Sequence, residues 1–424
     1  MQAAQFLMRH QMHPDCIDLH RCAQEAVGDM RAGLAGRPVS FEMLPCYVSL
    51  QQLVKPEKAD VLVLDAGGTN LRLSCAHYGE QPEPEIRLLL RCQMPGVQEP
   101  VDVQELFAEI ARKTAPYLRD GTHIGFCFSY AMDMQKNQDG RIRFICKSIH
   151  IQNAEGVLVG QSLNHALLSA CGRGAQIAVV NDSVAVTLAA RCSAPQYSAY
   201  LGLIVGTGFN ICYAEHTQNI AAAGNWHAPD MLINMESDKF FKMTRGTFDL
   251  QYDETGEDLE HPTMKMLTGA YLGGLCYLTF LGCAEEQMVS EPCAEALRGL
   301  GTLTTEQLCT FLTQPDSQGT LAACCFTAED AAVLREIALL LIERASKLVA
   351  AITAAAVRRS YRYRESGPAC ICMEGSTILK VPTMREQLCA YLHEELDSDG
   401  EAFELISVEN ATVCGTAAAA QRRS

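Results

Sequence analysis

Apolar positions change period several times along this 424-residue chain, and each change marks a boundary between elements. Residues 1–58 open with a helical pattern and run into a connector, LAGRPVSFEMLPCYV, where Gly36 and Pro38 act as breakers. From Ala59 to His77 the run ADVLVLDAGGTNLRLSCAH joins a β-rich segment, a glycine pair and a second alternating segment, which predicts a strand, a tight turn and a strand. Leu106, Phe107, Ile110 and Ala111 then recur at helical spacing, with Asp102 as an acidic start and Pro116 disturbing the last turn. A short buried strand, HIGFCFSYA, a polar turn around KNQDG, a helix over 160–171 and the strand IAVVND follow. Strands alternating with helices predict an α/β layer structure.

The segment YLGLIVGTGFNICYAEH, Tyr200 to His216, repeats the earlier arrangement of apolar strand, glycine turn and apolar strand. Two hairpins of one design suggest two lobes, each with its own anion-facing turn, and a length of nearly three times the ~150 residues of an ordinary domain agrees. Beyond the second hairpin the pattern is mainly helical, over 267–282, 305–313 and 328–359. It returns to strand and turn at ACICMEGST and closes in ELISVENATVCGTAAAAQRR, where Gly415 precedes a small-residue helix.

Composition narrows the function classes. Acidic residues outnumber basic ones by 50 to 34, for a net charge of −16, and the basic residues are scattered, which argues against nucleic acid as a partner. A small anion remains open as a ligand, since backbone amides of a glycine turn bind phosphate without a basic side chain. The apolar stretch Leu339 to Val357 is broken by Glu343, Arg344 and Lys347, and the first residues lack an apolar signal-peptide core, so the expectation is a cytoplasmic protein without a membrane partner. The 20 cysteines are dispersed without zinc-site spacing, so they read as small buried hydrophobes rather than metal ligands or disulfides.

Four segments carry candidate chemistry. In DAGGTN, Gly67, Gly68 and Thr69 allow backbone amides to approach an anion closely, and Asp65 at the strand end is placed to hold hydrated Mg²⁺; the alternative is a plain hairpin turn capped by an aspartate. In VVNDSV, Asp182 follows an apolar strand, where α/β proteins expose functional carboxylates, and such an acid takes a proton from an attacking hydroxyl. Asn181 beside it both donates and accepts; the alternative for the pair is a helix N-cap. NMESDKF offers Glu236 and FICKSIH offers Lys147, a carboxylate and an amine suited to a polyhydroxyl ligand, each of which alone reads more readily as a solvated side chain.

Taken in order, these segments make the chain resemble the hexokinase family, sugar kinases of the two-lobed actin-like (ribonuclease H-like) α/β fold, and its bacterial members most. The resemblance runs through LAGRPVSFEMLPCYV, LDAGGTNLRL, GFCFSYAMD, CKS, VVNDSV, LIVGTGFNICY, NMESDKF, KMLTGAYLGGL, MEGSTILK and NATVCGTA. It implies a cleft between a small domain, 59–180, and a large one, 181–415. Residues 1–58 would pack on the large domain, and a C-terminal helix over 416–424 would return to the small one. It implies ATP-dependent phosphorylation of the primary C6 hydroxyl of a hexose, glucose foremost, with Mg²⁺ on the nucleotide, as a step of glycolysis. Asp182 would be the general base, and Lys147 would contact the sugar or the transferring phosphoryl group. Ser129, Cys146, Asn181, Asn210 and Glu236 would bind sugar. Asp65, Gly67, Gly68, Thr69, Asn70 and Arg72 would form the first phosphate loop, and Thr207 and Gly208 the second. Gly375 and Ser376 would lie near the nucleotide, closed off by Gly415. The chain would act as a monomer or homodimer.

Two positions depart from the family pattern. Ile145-Cys146-Lys147 stands where Trp-Thr-Lys is common, turning a threonine contact into a thiol, and Met264-Lys265-Met266 stands where the family has Glu-Lys-Met. A thioether is a weak acceptor, so one sugar-binding carboxylate is missing unless Glu260 replaces it. A sugar-binding regulator that kept the fold and weakened catalysis is the rival expectation, and an actin-like ATPase indifferent to sugar is a third.

Overall fold

A computed structural model describes residues 2–53, 59–80, 83–145, 149–255, 261–314 and 319–421. The single helix expected at the N-terminus is two, α1 (Gln2–Arg9) and α2 (Leu19–Leu34), because Pro14 opens a 3₁₀ turn between them and the Asp18 side chain then accepts from Arg21 N to start α2. Both bury one apolar stripe, Phe6 and Leu7 on the first and Cys22, Ala26 and Met30 on the second. The connector ends as a two-residue strand, β1 (Leu44–Pro45).

Next comes the first hairpin, β2 (Ala59–Ala66) and β3 (Asn70–Tyr78), with β4 (Glu85–Gln93) antiparallel to β3. A short β5 (Val101–Asp102) leads into α3 (Val103–Thr114), which Asp102 caps by accepting from Gln104 N. Then follow β6 (His123–Phe128), a small ribbon of β7 (Met132–Met134) and β8 (Gly140–Ile142), β9 (Ile151–Gln152), α4 (Val159–Cys171) and β10 (Gln176–Val180). The resulting sheet runs β10-β6-β2-β3-β4, with β6 parallel to both β2 and β10. One face packs Leu62, Leu64, Phe126 and Phe128 against Leu106, Ile110 and Leu163 of α3 and α4.

Helix α5 (Asp182–Ser193) crosses to the second sheet, whose hairpin is β11 (Ala199–Val205) and β12 (Phe209–His216), with β13 (Asp230–Asn234) antiparallel beside it. Helices α6 (Thr247–Glu254), α7 (Pro262–Leu267), α8 (Leu272–Glu285), α9 (Glu291–Leu300), α10 (Thr305–Thr313) and α11 (Ala328–Arg359) follow. Then come β14 (Ala369–Glu374), α12 (Ser376–Lys380), α13 (Met384–Leu396), β15 (Phe403–Ile406) and α14 (Ala411–Ala420). The order β1-β13-β12-β11-β14-β15 repeats that of the first sheet: an antiparallel meander whose first strand is flanked on its other side by parallel strands. The connector is its outermost strand. This is a duplicated α/β architecture with a cleft between lobes, the two-lobed actin-like fold.

The small-residue helix α14 packs against α5 and against β2, β6 and β10 of the first sheet. Gly415 is what permits this. A Cβ there would fall 1.7 Å from the Ala185 carbonyl oxygen of α5, so the backbones touch where a side chain would keep them apart. The described cysteines are all free thiols, and no helix among the described residues is long and apolar enough to cross a membrane.

Candidate active site

Four strand ends build the site. Strand β2 carries Asp65 as its last residue but one, and its turn to β3 is held by Gly67 N donating to Asn70 O at 3.0 Å and by Tyr130 Oη donating to Gly67 O at 3.0 Å. Thr69 and Asn70 shape this turn: Asn70 Nδ2 donates to Thr69 Oγ1 at 2.8 Å, and Met94 N to Thr69 O at 2.9 Å. Arg72, half exposed at the mouth, pairs with Asp65 at 2.6 Å. Strand β11 ends in the second turn, closed by Gly206 N to Gly208 O at 2.9 Å and braced by Thr377 Oγ1 and Gly269 N, both donating to Gly206 O. Strand β14 ends on Glu374, and Gly375 follows at φ +116°, where a Cβ would lie 2.4 Å from Val205 O. The fourth strand, β10, delivers Asn181 and Asp182.

These ends converge. One cleft of about 260 Å³ is lined by Asp65, Gly67, Gly68 and Arg72 of the first turn, by Thr207 and Gly208 of the second, and by Ser129, Asp182, Glu374, Gly375, Ser376 and Thr412. A second cavity of about 400 Å³ shares Thr207 and Ser376 with it and runs on to Thr305, Glu306 and Cys309 of α10 and Lys380 of α12. Together they form a trough from Asp182 to α10.

At the N-terminus of α5 both readings of the Asn-Asp pair meet. Asn181 Oδ1 accepts from Ser183 N at 2.9 Å and from Ser183 Oγ at 2.7 Å, so it is the cap, and what it offers a ligand is its Nδ2 donor. Asp182 Oδ1 shares the Ser183 N–H at 2.8 Å while its carboxylate lines the cleft. From Ser183 a polar chain continues: Asn210 Nδ2 donates to Asn234 Oδ1 at 2.7 Å, and Asn234 Nδ2 donates to Glu236 Oε1 at 2.7 Å. Asn210 Oδ1 in turn accepts from Ile211 N at 2.8 Å. Glu236 sits in the left-handed region at φ 51°, which turns its side chain out of the β13 extension.

The electrostatics follow from burial. Glu374 is held above its ordinary 4.5 first by desolvation and then by Asp65 and Asp182 nearby, against which donation from Thr412 N at 3.2 Å works. Cys127, fully buried under the same two aspartates, is pushed well above 9.0 by burial, so it is a neutral thiol and no nucleophile. Three carboxylates face one arginine. That excess suits a cation arriving with an anionic ligand. Among the described residues no group of three or more His, Cys, Asp or Glu is arranged to hold a metal alone.

Of the residues singled out from sequence, Lys147 and Cys146 lie outside the described residues, as does Glu260. Met264 is buried on α7, which packs against the turn Ser237–Lys239 that follows Glu236. Gly415 lies at the α5 crossing, and Thr412, one turn earlier, is the α14 residue that lines the cleft. Three residues escaped the sequence reading: Glu374, Asn234 and Thr412. Glu374 carried the same signal as Asp182, a carboxylate at the carboxyl end of a parallel strand.

Two sequence profiles, both described as hexokinase, match residues 6–192 and 200–421. The chain belongs to the hexokinase family. Among its relatives are a hexokinase of Schistosoma mansoni, 30% identical over 277 residues covering 61% of this chain and 60% of that protein, and hexokinase-1 of Schizosaccharomyces pombe, 26% identical over 284 residues covering 63% and 58%. The matched region thus spans about three-fifths of the length of these curated hexokinases. The solved structure of the Schistosoma mansoni hexokinase complexed with glucose superposes with a TM-score of 0.83 at 23% identity, covering 99% of this chain and 98% of that one. The hexokinase fold therefore extends over the whole chain.

Proposed function

We propose that this hexokinase-family chain transfers the terminal phosphoryl group of ATP to the primary C6 hydroxyl of a hexose, glucose foremost. The observation that carries the reading is that Asp182 and both glycine turns line one cleft. The triphosphate lies between the two turns, and the base and ribose follow the trough toward α10. The sugar sits against Ser129, Asn181, Asn210 and Glu236, with Asn234 fixing the last two relative to each other. Lys147 belongs to the same reading. Asp182 takes the C6 hydroxyl proton as the new O–P bond forms and the bond to the ADP leaving group breaks; positioning and charge neutralisation carry most of the rate. Asp65 is the residue that would hold Mg²⁺ through water, and the bound ion would supply charge neutralisation on the phosphates. The activity is assigned to the cytoplasm, at the sugar-phosphorylating step of glycolysis.

ADP release measured with glucose, fructose, mannose and glucosamine tests this. The expected result is ATP turnover that requires a hexose. Hexose binding without turnover above the Asp182→Ala background would favour the sugar-binding regulator, for which Met264 beside the Glu236 turn is the motive. Hydrolysis indifferent to every sugar would favour a plain ATPase.

A further inference from the structure

At the sugar end of the cleft a chain of charges crosses between the lobes. Glu42 of the connector is fixed to the large lobe: its N–H donates to Met235 O at 3.1 Å, and its neighbours Phe41 and Met43 are buried in the large-lobe core, Phe41 stacked on Phe240 with ring centroids 5.0 Å apart. Its carboxylate accepts from Lys239 Nζ at 2.6 Å through Oε1. Through Oε2 it meets Arg143 at 3.1 Å, and Arg143 belongs to the other lobe. There Arg143 N donates to Ala131 O, just before β7, at 3.0 Å, and its guanidinium reaches Asp133 of β7 at 3.3 Å, on the ribbon whose Met132 and Ile142 are buried in the small-lobe core. Lys239 also stands 4.5 Å above the ring of Phe144, the residue after Arg143.

The sequence positions give this bridge its meaning. Glu236 precedes Lys239 by three residues, and Ala131, which accepts from Arg143 N, follows the cleft-lining Ser129 by two. Each end of the bridge is therefore tied to one bank of the sugar site. Lys239 and Glu42 are mostly shielded, with side chains 13% and 20% exposed, so their pairing is less screened than a surface contact, and it pre-sets the carboxylate for the arginine.

We propose that Arg143, Glu42 and Lys239 form an interlobe latch, with Arg143 as the positioning residue that holds the small-lobe sugar segment against the Glu236 bank. None of the three needs to touch the hexose. The latch acts by raising the fraction of molecules whose two banks are already apposed, and apparent affinity scales with that fraction. Its effect on hexose binding rests on the sugar-kinase reading above; its effect on lobe separation does not.

The test uses Arg143→Gln and Glu42→Gln in the full chain, with Arg143→Lys as the conservative variant, and thermal melting confirms that each is folded. Small-angle X-ray scattering without sugar is expected to show a larger radius of gyration for both glutamine variants than for the wild type, with Arg143→Lys between. Glucose Kd is expected to rise about two- to tenfold while kcat stays within about twofold, the split expected when a pair of this exposure shifts a population. A radius unchanged in both glutamine variants overturns the latch, whatever the affinity does. A wild type that binds no hexose would overturn the sugar-kinase reading instead, and the comparison of radii would still decide the latch.

Discussion

Glu374 condenses the chemistry of the cleft into one side chain. It is partly buried at the end of β14 within the field of Asp65 and Asp182, and desolvation by the surrounding protein raises its carboxyl above the ordinary 4.5. The native chain then binds a proton that the unfolded chain has released, so stability falls as pH rises from that ordinary value through the elevated one. Glu374→Gln removes the liability. Its melting temperature, followed by calorimetry from the ordinary 4.5 upward, should gain on the wild type as pH rises; a gap that does not change with pH would mean that the carboxyl titrates normally. The sequence made Asp182 legible because VVND is an apolar strand ending in an acid. Glu374 was equally legible by that rule, but Gly375 and Ser376 beside it drew the reading toward the turn. Asn234 carried no such signal. Its role exists through Asn210 and Glu236, and the Asn210 partner comes from a neighbouring strand that no local spacing reveals.

Among the elements, the helices α10 and α11 have the bounds that periodicity predicts, 305–313 and 328–359. The helix expected over 267–282 begins instead at Leu272, with the short α7 before it. The reason is local: Gly269 N donates to Gly206 O, so residues 268–271 leave the helix to brace the second glycine turn. Apolar periodicity reports which face is buried and is blind to a backbone donor spent elsewhere. The α5–α14 crossing is of the same kind. Gly415→Ala inserts a methyl group into the Ala185 carbonyl, and the helices must separate. We expect a loss of about 1–3 kcal/mol or more, read from urea unfolding, as for overpacking a tight interior contact; stability equal to the wild type would mean that the crossing is looser than described.

Over the whole molecule, the duplicated sheet was foreshadowed by two hairpins of one design, because each lobe builds its sheet on the same strand–turn–strand unit, whose turn lines the cleft. The way the lobes face each other was not. Thr412 at one end of the chain lines the same cleft as Asp65 near the other, and Glu42 reaches Arg143 across the sugar side, pairings fixed by tertiary packing alone. Those long-range contacts bring two unremarkable turns and one strand-end acid into a single cleft, the one in which the proposed function has a hydroxyl, a base and a phosphate chain meet. The most direct measurement is therefore kcat and glucose Kd for Asp182→Ala beside the wild type. With Asp182 as base, turnover falls about 10²–10⁴-fold while sugar affinity stays within about twofold. Turnover that survives the substitution, or a loss confined to sugar affinity, would contradict the role assigned to that carboxylate.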